Sequence, residues 1–319
     1  MLIVPEALIA DLVTAEDAHN AVAACLAAQA RGAAENFPVI RQALGEGRQY
    51  GFKSGIDRAA GQMGVKAGGY FPGNAARGMI NHQSSVFLFD PDSGRPQAMV
   101  GGNLLTALRT AAAAAISIDR LARPDARVLG IVGAGHQAGF HLRAAARLRP
   151  WDRVIGWNLH PEMLPRLATI AADLGLPFQA VDLPQMIEAE AIITITSSPA
   201  ASLMAAHVRP GTHLACMGTD TKGKQEVEPA LVAQARLFTD EVAQSVTIGE
   251  MQHAVAAGLV RSQDITPLGA VLAGQAPGRQ SDQEITLYDG TGVALQDLAV
   301  AAIAVARARA RGLGLTVEV

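Results

Sequence analysis

Cysteine is nearly absent: the 319-residue chain holds two, Cys25 and Cys216, far apart and outside any CxxC or Cys/His cluster. That excludes a disulfide framework and a zinc site, and no other ligand grouping predicts a metal. A basic excess is missing too, with 26 Lys+Arg against 29 Asp+Glu, a net charge of −3 and a pI near 6.2. Nucleic-acid binders carry a basic face or block, so that class is set aside. No apolar run approaches the roughly 20 residues that span a bilayer. The longest, 111–118, is bounded by Arg109 and Asp119. The start, MLIVPEALIADLV, shows no basic leader or cleavage site and does not read as a signal peptide. Internal repeats and low-complexity linkers are lacking as well. The expectation is a reduced, cytoplasmic, soluble protein with neither nucleic-acid nor membrane partners.

What is present is core-forming material: 50% hydrophobic residues, 17% charged and 32 glycines. The length suits two domains of about 150 residues. Residues 7–31 read as a helix, followed by short apolar strands at 37–40, 50–53 and 64–70. Segments 85–89 and 97–100 read as a hairpin turning at Asp92-Ser93-Gly94, and 103–121 as a long apolar helix. From residue 126 strands alternate with helices: strands at 128–132, 154–157, 191–196, 213–217 and 237–239, helices at 137–148 and 161–174. That alternation predicts a parallel sheet covered by helices. A last helix is expected at 293–311. The predicted class is α/β, a Rossmann-type parallel-sheet domain at 116–292 inserted in a discontinuous α+β domain made of 1–115 and 293–319.

The strongest local signal is VLGIVGAGHQA, which sets Gly133-x-Gly135-x-x-Ala138 directly after a buried strand and before a helix. Glycines permit the tight turn and close approach to a pyrophosphate, and the helix N-terminus offers N–H groups to the anion. His136 and Gln137 fall in the same turn. At the end of the next strand, where an acid commonly binds the adenosine ribose, stands Asn158. Asn still offers hydrogen bonds to a ribose hydroxyl, and no Arg or Lys follows closely to receive a 2′-phosphate. The cofactor expected is NAD. Thr196 and Ser197 follow the AIITIT strand, and Asp220 lies in ACMGTDTKGKQE just past another. Loops at the carboxyl ends of parallel strands are where ligands bind, although a turn-stabilising Asp is the plainer alternative.

In the outer domain, Lys66 sits on an apolar strand running into a glycine-rich turn, MGVKAGGYFPGN, and so faces inward or into a cleft. An inward lysine is costly unless paired, and suits carboxylate binding or proton transfer. Arg41 follows the apolar segment NFPVI, and Arg109 is the lone charge in LLTALRTAAAA. One such base is commonly a snorkelling surface residue; three on apolar elements of one domain suggest a cation cluster. His82 opens the hairpin and is either a structural histidine or a ligand contact.

Taken in order, MGVKAGGYFPGN, SSVFLFDPDSGRPQAMVGGNLLTALRTAAAAA, VLGIVGAGHQA, THLACMGTDTKGKQEV and YDGTGVALQDLAV resemble the ornithine cyclodeaminase/μ-crystallin family over nearly the whole chain. The resemblance implies a Rossmann cofactor domain and a substrate domain that also builds a homodimer. It implies that Arg41, Lys66 and Arg109 bind the substrate carboxylate and that Asp220 is the acid near the reacting nitrogen. Arg109, Gly133, Gly135, His136, Gln137, Ala138, Asn158, Thr196, Ser197, Met217 and Thr291 are the implied cofactor contacts, with Thr291 in the loop over the nicotinamide. Two positions depart from the cyclodeaminases: Asn158 replaces an acid, and Asn81 replaces a hydroxyl residue.

Within the family, AGGYFPGN and ACMGTDTKGKQEV resemble members that reduce iminosuccinate to L-aspartate with NADH. The expected chemistry is then hydride transfer to a C=N carbon beside a carboxylate. Arg41 and Arg109 would hold that carboxylate, Lys66 would add charge or a proton, and Asp220 would stabilise the iminium nitrogen. A second carboxylate needs another donor, with His82, Arg77 and Arg48 as candidates. The alternatives are a cyclic ketimine (pyrroline-2-carboxylate) reductase, an ornithine cyclodeaminase that regenerates NAD in each turnover, and a non-catalytic NAD(P)H-binding crystallin-like protein.

Overall fold

Two eight-stranded sheets organise the chain, one in each of two units: Met1–Arg109 with the chain from Val293 onward, and Thr110–Gly292. The computed structural model describes residues 1–318. The first unit contains β1 (Leu2–Val4), β2 (Ala34–Asn36), β3 (Ile40–Gly45), β4 (Arg48–Asp57), β5 (Gln62–Tyr70), β6 (His82–Phe89), β7 (Pro96–Gly101) and a C-terminal strand, Leu315–Thr316. From that C-terminal strand the order runs β1, β7, β6, β5, β4, β2, with β3 also on β4. All pairings are antiparallel except β1 with β7.

Because side chains alternate across a strand, register decides which residues share a face. Lys53, Lys66 and Val86 stand opposite one another on β4, β5 and β6, while Phe52, Ala67 and Ser85 form the neighbouring row on the other face. Two helices, Ala15–Ala30 and Ala294–Ala310, pack on each other, and the second runs across β4, β5 and β6. Its alanine-rich sequence allows a close approach. Any Cβ at Gly64 would sit 2.7 Å from Leu298 Cδ2.

Several predicted elements shift. The expected 7–31 helix is broken: Val13 is extended, and Thr14 with Asp17 forms a reciprocal capping box that starts a new helix at Ala15. Residues 37–40 are not a strand; Pro38 lacks an N–H, and β3 begins at Ile40. The hairpin strands are longer than expected, β6 starting at His82 and β7 ending at Gly101. The helix Asn103–Leu121 matches its predicted bounds, with Glu6 accepting from the N–H groups of Asn103 and Leu104 at 3.1 and 2.7 Å. The division between the units falls inside this helix, earlier than the expected 115/116 boundary.

The second unit is a fully parallel sheet of β8 (Val128–Val132), β9 (Arg153–Trp157), β10 (Phe178–Ala180), β11 (Ala191–Thr194), β12 (His213–Cys216), β13 (Arg236–Thr239), β14 (Ile265–Pro267) and β15 (Thr286–Asp289). Its order is β10-β9-β8-β11-β12-β15-β13-β14. The chain builds outward from β8 through β9 and β10, then returns to β11 on the other side of β8. That reversal is the switch point at which open α/β sheets bind ligands, beyond the carboxyl ends of the strands. The short strands β10, β14 and β15 were not expected from the sequence. The predicted 137–148 helix runs Ala138–Ala146, and the strands predicted at 191–196 and 213–217 end at Thr194 and Cys216.

Candidate active site

Two of the three cations named from the sequence, Lys66 and Arg109, meet in the first unit. The Lys66 ammonium donates to Thr106 Oγ1 at 2.5 Å and to Asp297 Oδ1 at 3.0 Å. Arg109 Nε donates to the same Asp297 oxygen at 3.1 Å, and its Nη1 to Gln296 Oε1 at 3.3 Å. All three charged side chains are nearly fully buried. Burial pushes Lys66 down to about 8, with Asp297 opposing and the Arg109 and Arg41 charges adding to the fall. Burial works to raise Asp297, yet Arg109, Lys66 and Lys53 together hold its carboxyl below the usual range. One carboxylate oxygen thus serves two cations, while Oδ2 is buried with no hydrogen-bond partner. Lys66 retains a third N–H for an anion.

Asp297 escaped the sequence reading. Its signal was there: one acid in the apolar helix VALQDLAVAAIAV mirrors the lone Arg109 in the other apolar helix. Buried charges require partners, so two such lone charges of opposite sign are natural candidates for one pair. His82 lies on the Lys66 face of the sheet, in the row Gln49–Tyr70–His82. Asn81 is committed to its loop: Oδ1 accepts from the Ala75 N–H at 3.0 Å and Nδ2 donates to the Tyr70 hydroxyl at 3.3 Å. Arg48 is exposed beside Glu46, and Arg77 is exposed at the end of a short 3-10 turn.

In the second unit β8 runs into Gly133, whose φ of 112° is closed to other residues. A Cβ there would also lie 2.6 Å from the Ile195 carbonyl oxygen. Gly135 is different, with open space where a Cβ would be. Ala138 is fully buried and starts the following helix. A tight turn, a bare backbone and a helix N-terminus form a cradle that fits a pyrophosphate. Asn158 is fixed beside it, Oδ1 accepting from Ala134 N–H at 3.0 Å and Nδ2 donating to His160 O at 2.8 Å. His136 is exposed next to Phe140, and partial burial with the Arg166 charge lowers its pKa.

The remaining expected residues lie at the carboxyl edge of the same sheet or in the loops that follow it. Asp220 is half-buried and accepts from the Lys224 ammonium at 2.9 Å. Met217 is buried and Ser197 exposed. Thr291 is buried, its hydroxyl donating to Asp240 at 2.6 Å. Two buried acids missed from the sequence organise this edge. Glu226 accepts from Thr194 Oγ1, Thr196 N–H and Gly218 N–H at 2.8, 2.5 and 2.8 Å, tying the loops after β11 and β12 together. Glu250 accepts from Thr219 Oγ1 at 2.5 Å and from the N–H groups of Glu226 and Val227.

Residues 5–312 match the model of the ornithine cyclodeaminase/mu-crystallin family. The chain belongs to that family. One family relative is the iminosuccinate reductase of Paracoccus denitrificans, 61% identical over 303 residues that cover 94% of each chain. The crystal structure of the Paracoccus iminosuccinate reductase in complex with NAD+ superimposes with a TM-score of 0.95 at 59% identity. It covers 100% of this chain and 99% of that one. An archaeal alanine dehydrogenase dimer with bound NAD follows at a TM-score of 0.94 and 29% identity, covering 100% and 99%. The α/β fold with its parallel sheet is therefore shared with these relatives.

Proposed function

We propose that this protein is an NADH-dependent imine reductase that converts iminosuccinate to L-aspartate. The observation that carries the reading is the buried Lys66–Arg109–Asp297 cluster, an anion-binding group charged from both cations yet balanced by a single acid. It stands in a chain that also holds a dinucleotide turn. The close likeness to the Paracoccus enzyme selects iminosuccinate among the imines that such a cluster would accept.

Gly133, Gly135, Ala138 and Asn158 would hold NADH, with Thr196, Ser197, Met217, Arg109 and Thr291 as further contacts. When bound, the reduced nicotinamide supplies the hydride. Arg41 and Arg109 grip the α-carboxylate of the substrate and Lys66 adds a third positive charge. A lysine pushed down to about 8 releases a proton more readily than an ordinary one, which suits Lys66 to protonate the imine nitrogen. Asp220, paired with Lys224, stabilises the resulting iminium. The overall balance is iminosuccinate plus NADH plus a proton giving aspartate and NAD+.

A homodimer is part of this reading. The face of the first sheet opposite Lys53 exposes Ile40, Tyr50 and Phe52, at 61%, 38% and 40%, and a second copy would cover them. Both cysteines are buried thiols, which accords with a reducing cytoplasm.

The test is NADH oxidation with oxaloacetate plus ammonium, which generate iminosuccinate, beside pyrroline-2-carboxylate. Rapid ammonium-dependent oxidation with stoichiometric aspartate is the expected result. Turnover of the cyclic imine alone would make it a ketimine reductase. No net NADH consumption with either would replace reduction by cyclodeamination or simple cofactor binding.

A further inference from the structure

Lys66 is gripped by side chains from two different helices. Thr106, on the helix Asn103–Leu121, accepts from its ammonium at 2.5 Å, and Asp297, on the helix Ala294–Ala310, accepts at 3.0 Å. Thr106 is bound in turn. Its hydroxyl donates to the Gly102 carbonyl at 2.6 Å, one turn back along the chain. A helical threonine commonly makes this bond, and its branched Cβ leaves it few other rotamers. The same carbonyl accepts the Thr106 backbone N–H at 3.0 Å, so both of its lone pairs are taken. With its one proton committed to Gly102, the Thr106 hydroxyl turns lone pairs alone toward Lys66. An ionised Asp297 likewise only accepts.

We infer that Thr106 is the positioning residue that aims Lys66, leaving the third N–H of its ammonium as the proton that passes to the imine nitrogen. This rests on the reductase reading above, in which Lys66 is the proton source. The N–H bonds of an ammonium are staggered about Cε–Nζ, so fixing two of them fixes the third. Asp297 alone would leave the ammonium free to turn about one contact, and its Oδ1 is already shared with Arg109 Nε at 3.1 Å. On transfer the third N–H bond breaks, its electron pair stays on Nζ, and the imine lone pair forms the new N–H bond. The neutral amine keeps two N–H groups, for Thr106 and Asp297, and its lone pair points along the vacated direction. Water returns the proton by that route. Thr106 also favours the charged form, because a hydrogen bond accepted from it is lost in part on deprotonation. The charged groups around Lys66 are Asp297 and Arg109 from the helices, Arg41 from β3, and Lys53 opposite it on β4. Substitution at Thr106 leaves all four in place.

The experiment compares Thr106→Val and Thr106→Ser with the parent. Each rate is taken as a ratio to the parent at the same pH, so that imine formation from oxaloacetate and ammonium cancels. Lys66 ionisation is also read directly, by NMR of isotope-labelled lysine Cε in the NAD-loaded protein, with Lys66→Met to assign the signal. On the plateau below its alkaline limb, Thr106→Val is expected to lower kcat by about 10- to 100-fold while KM stays within about threefold. The alkaline limb and the Lys66 titration should both move down by about one to two pH units, the loss of a hydrogen bond to a charged group. Thr106→Ser should restore kcat and both titrations. A threonine that serves packing alone would lower the urea midpoint and move neither titration. An unmoved titration, a loss carried by KM, or a Ser variant as impaired as Val would overturn the assignment. Where the Val variant does not fold, Thr106→Cys, whose sulfur accepts only weakly, reads the same shift in smaller size. A parent that reduces no imine, with Lys66 still shifted in Thr106→Val, would fault the reductase reading and keep Thr106 as the anchor of Lys66.

Discussion

Two buried polar clusters, one in each unit, solve the same problem in opposite ways. In the first unit Lys66, Arg109 and Asp297 are ionised and hold one another. In the second, Glu226, Glu250 and Asp289 are all acids, and burial raises each of them. Backbone N–H groups and hydroxyls hold them, with Thr194, Thr219 and Ser245 each donating to one, while Asp289 Oδ1 is buried without a hydrogen-bond partner. Like charges at such depth cannot all ionise, so the cluster keeps protons. The Glu226 charge adds to burial in raising Glu250, so Glu250 is the better acid of the two. The lesson is that a cationic cluster stays charged and waits for an anion, while an acidic cluster neutralises itself and becomes scaffold.

The largest effects should come from breaking the cationic cluster. Lys66→Met is expected to reduce kcat/KM by about a thousand-fold, or ~4 kcal/mol, because it removes both carboxylate charge and proton source. A loss under tenfold would remove Lys66 from the chemistry. In the parent, kcat/KM should fall as pH rises through about 8, where the free enzyme's Lys66 loses its charge. Lys66→Arg should shift that alkaline limb upward, since a guanidinium does not deprotonate there.

Next in size is Asp297→Asn. It leaves two buried cations without their shared carboxylate, and stripping one partner from a buried pair costs about 3–5 kcal/mol. Urea unfolding should show it as a lower midpoint, partly restored by a saturating dicarboxylate. A change below about 1 kcal/mol would mean that Asp297 is not what holds Lys66 and Arg109.

The acidic cluster should respond far less at neutral pH. In Glu250→Gln the amide oxygen takes over acceptance from the Val227 N–H, and the amide nitrogen donates to Thr219 Oγ1, so the neutral acid has a near-isosteric replacement. The pH dependence is where the variant should differ. Between the ordinary glutamate value of 4.5 and about 8, the folded parent retains a proton that the unfolded chain gives up. Stability contributed by this group is therefore lost as pH rises through that window, with a slope of up to about 1.4 kcal/mol per pH unit. Glu250→Gln should flatten the slope between pH 5 and 8; an unchanged slope would show that Glu250 titrates normally.

The two clusters also differ in how readable they were. Lys66, Arg41 and Arg109 stood out because a charge in an apolar segment must be explained, and the GxGxxA turn because its glycines sit between strand and helix. Glu226 and Glu250 lie in polar, loop-like sequence, GKQEVEP and TIGEMQH, where an acid looks like ordinary surface. Only the parallel sheet, which buries both faces, turns those loops inward. Asp297 depends on pairing between distant segments, by the packing of its helix against Lys66 and Arg109. Short β10 and β14 carry too few residues for a period to show, and the helix break at Val13 depended on a capping box masked by continuous apolar spacing.

The smallest effect concerns Asn158, and it bears on why an amide replaces the usual acid. Its oxygen faces a donor, the Ala134 N–H, and its nitrogen faces an acceptor, the His160 carbonyl. An aspartate keeps the first bond but sets an anionic oxygen against the His160 carbonyl. One neutral hydrogen bond is worth about 0.5–1.5 kcal/mol, so Asn158→Asp should weaken NADH binding by about 2- to 12-fold through a loosened turn. The opposing force is the ribose: an acid at this strand end commonly improves its recognition. Titrating NADH and NADPH by nucleotide fluorescence separates the two. Tighter NADH binding with further loss of NADPH would mean that position 158 acts on the ribose directly. Weaker binding of both in like proportion would mean that its amide serves first to hold the glycine turn in shape rather than to choose the cofactor.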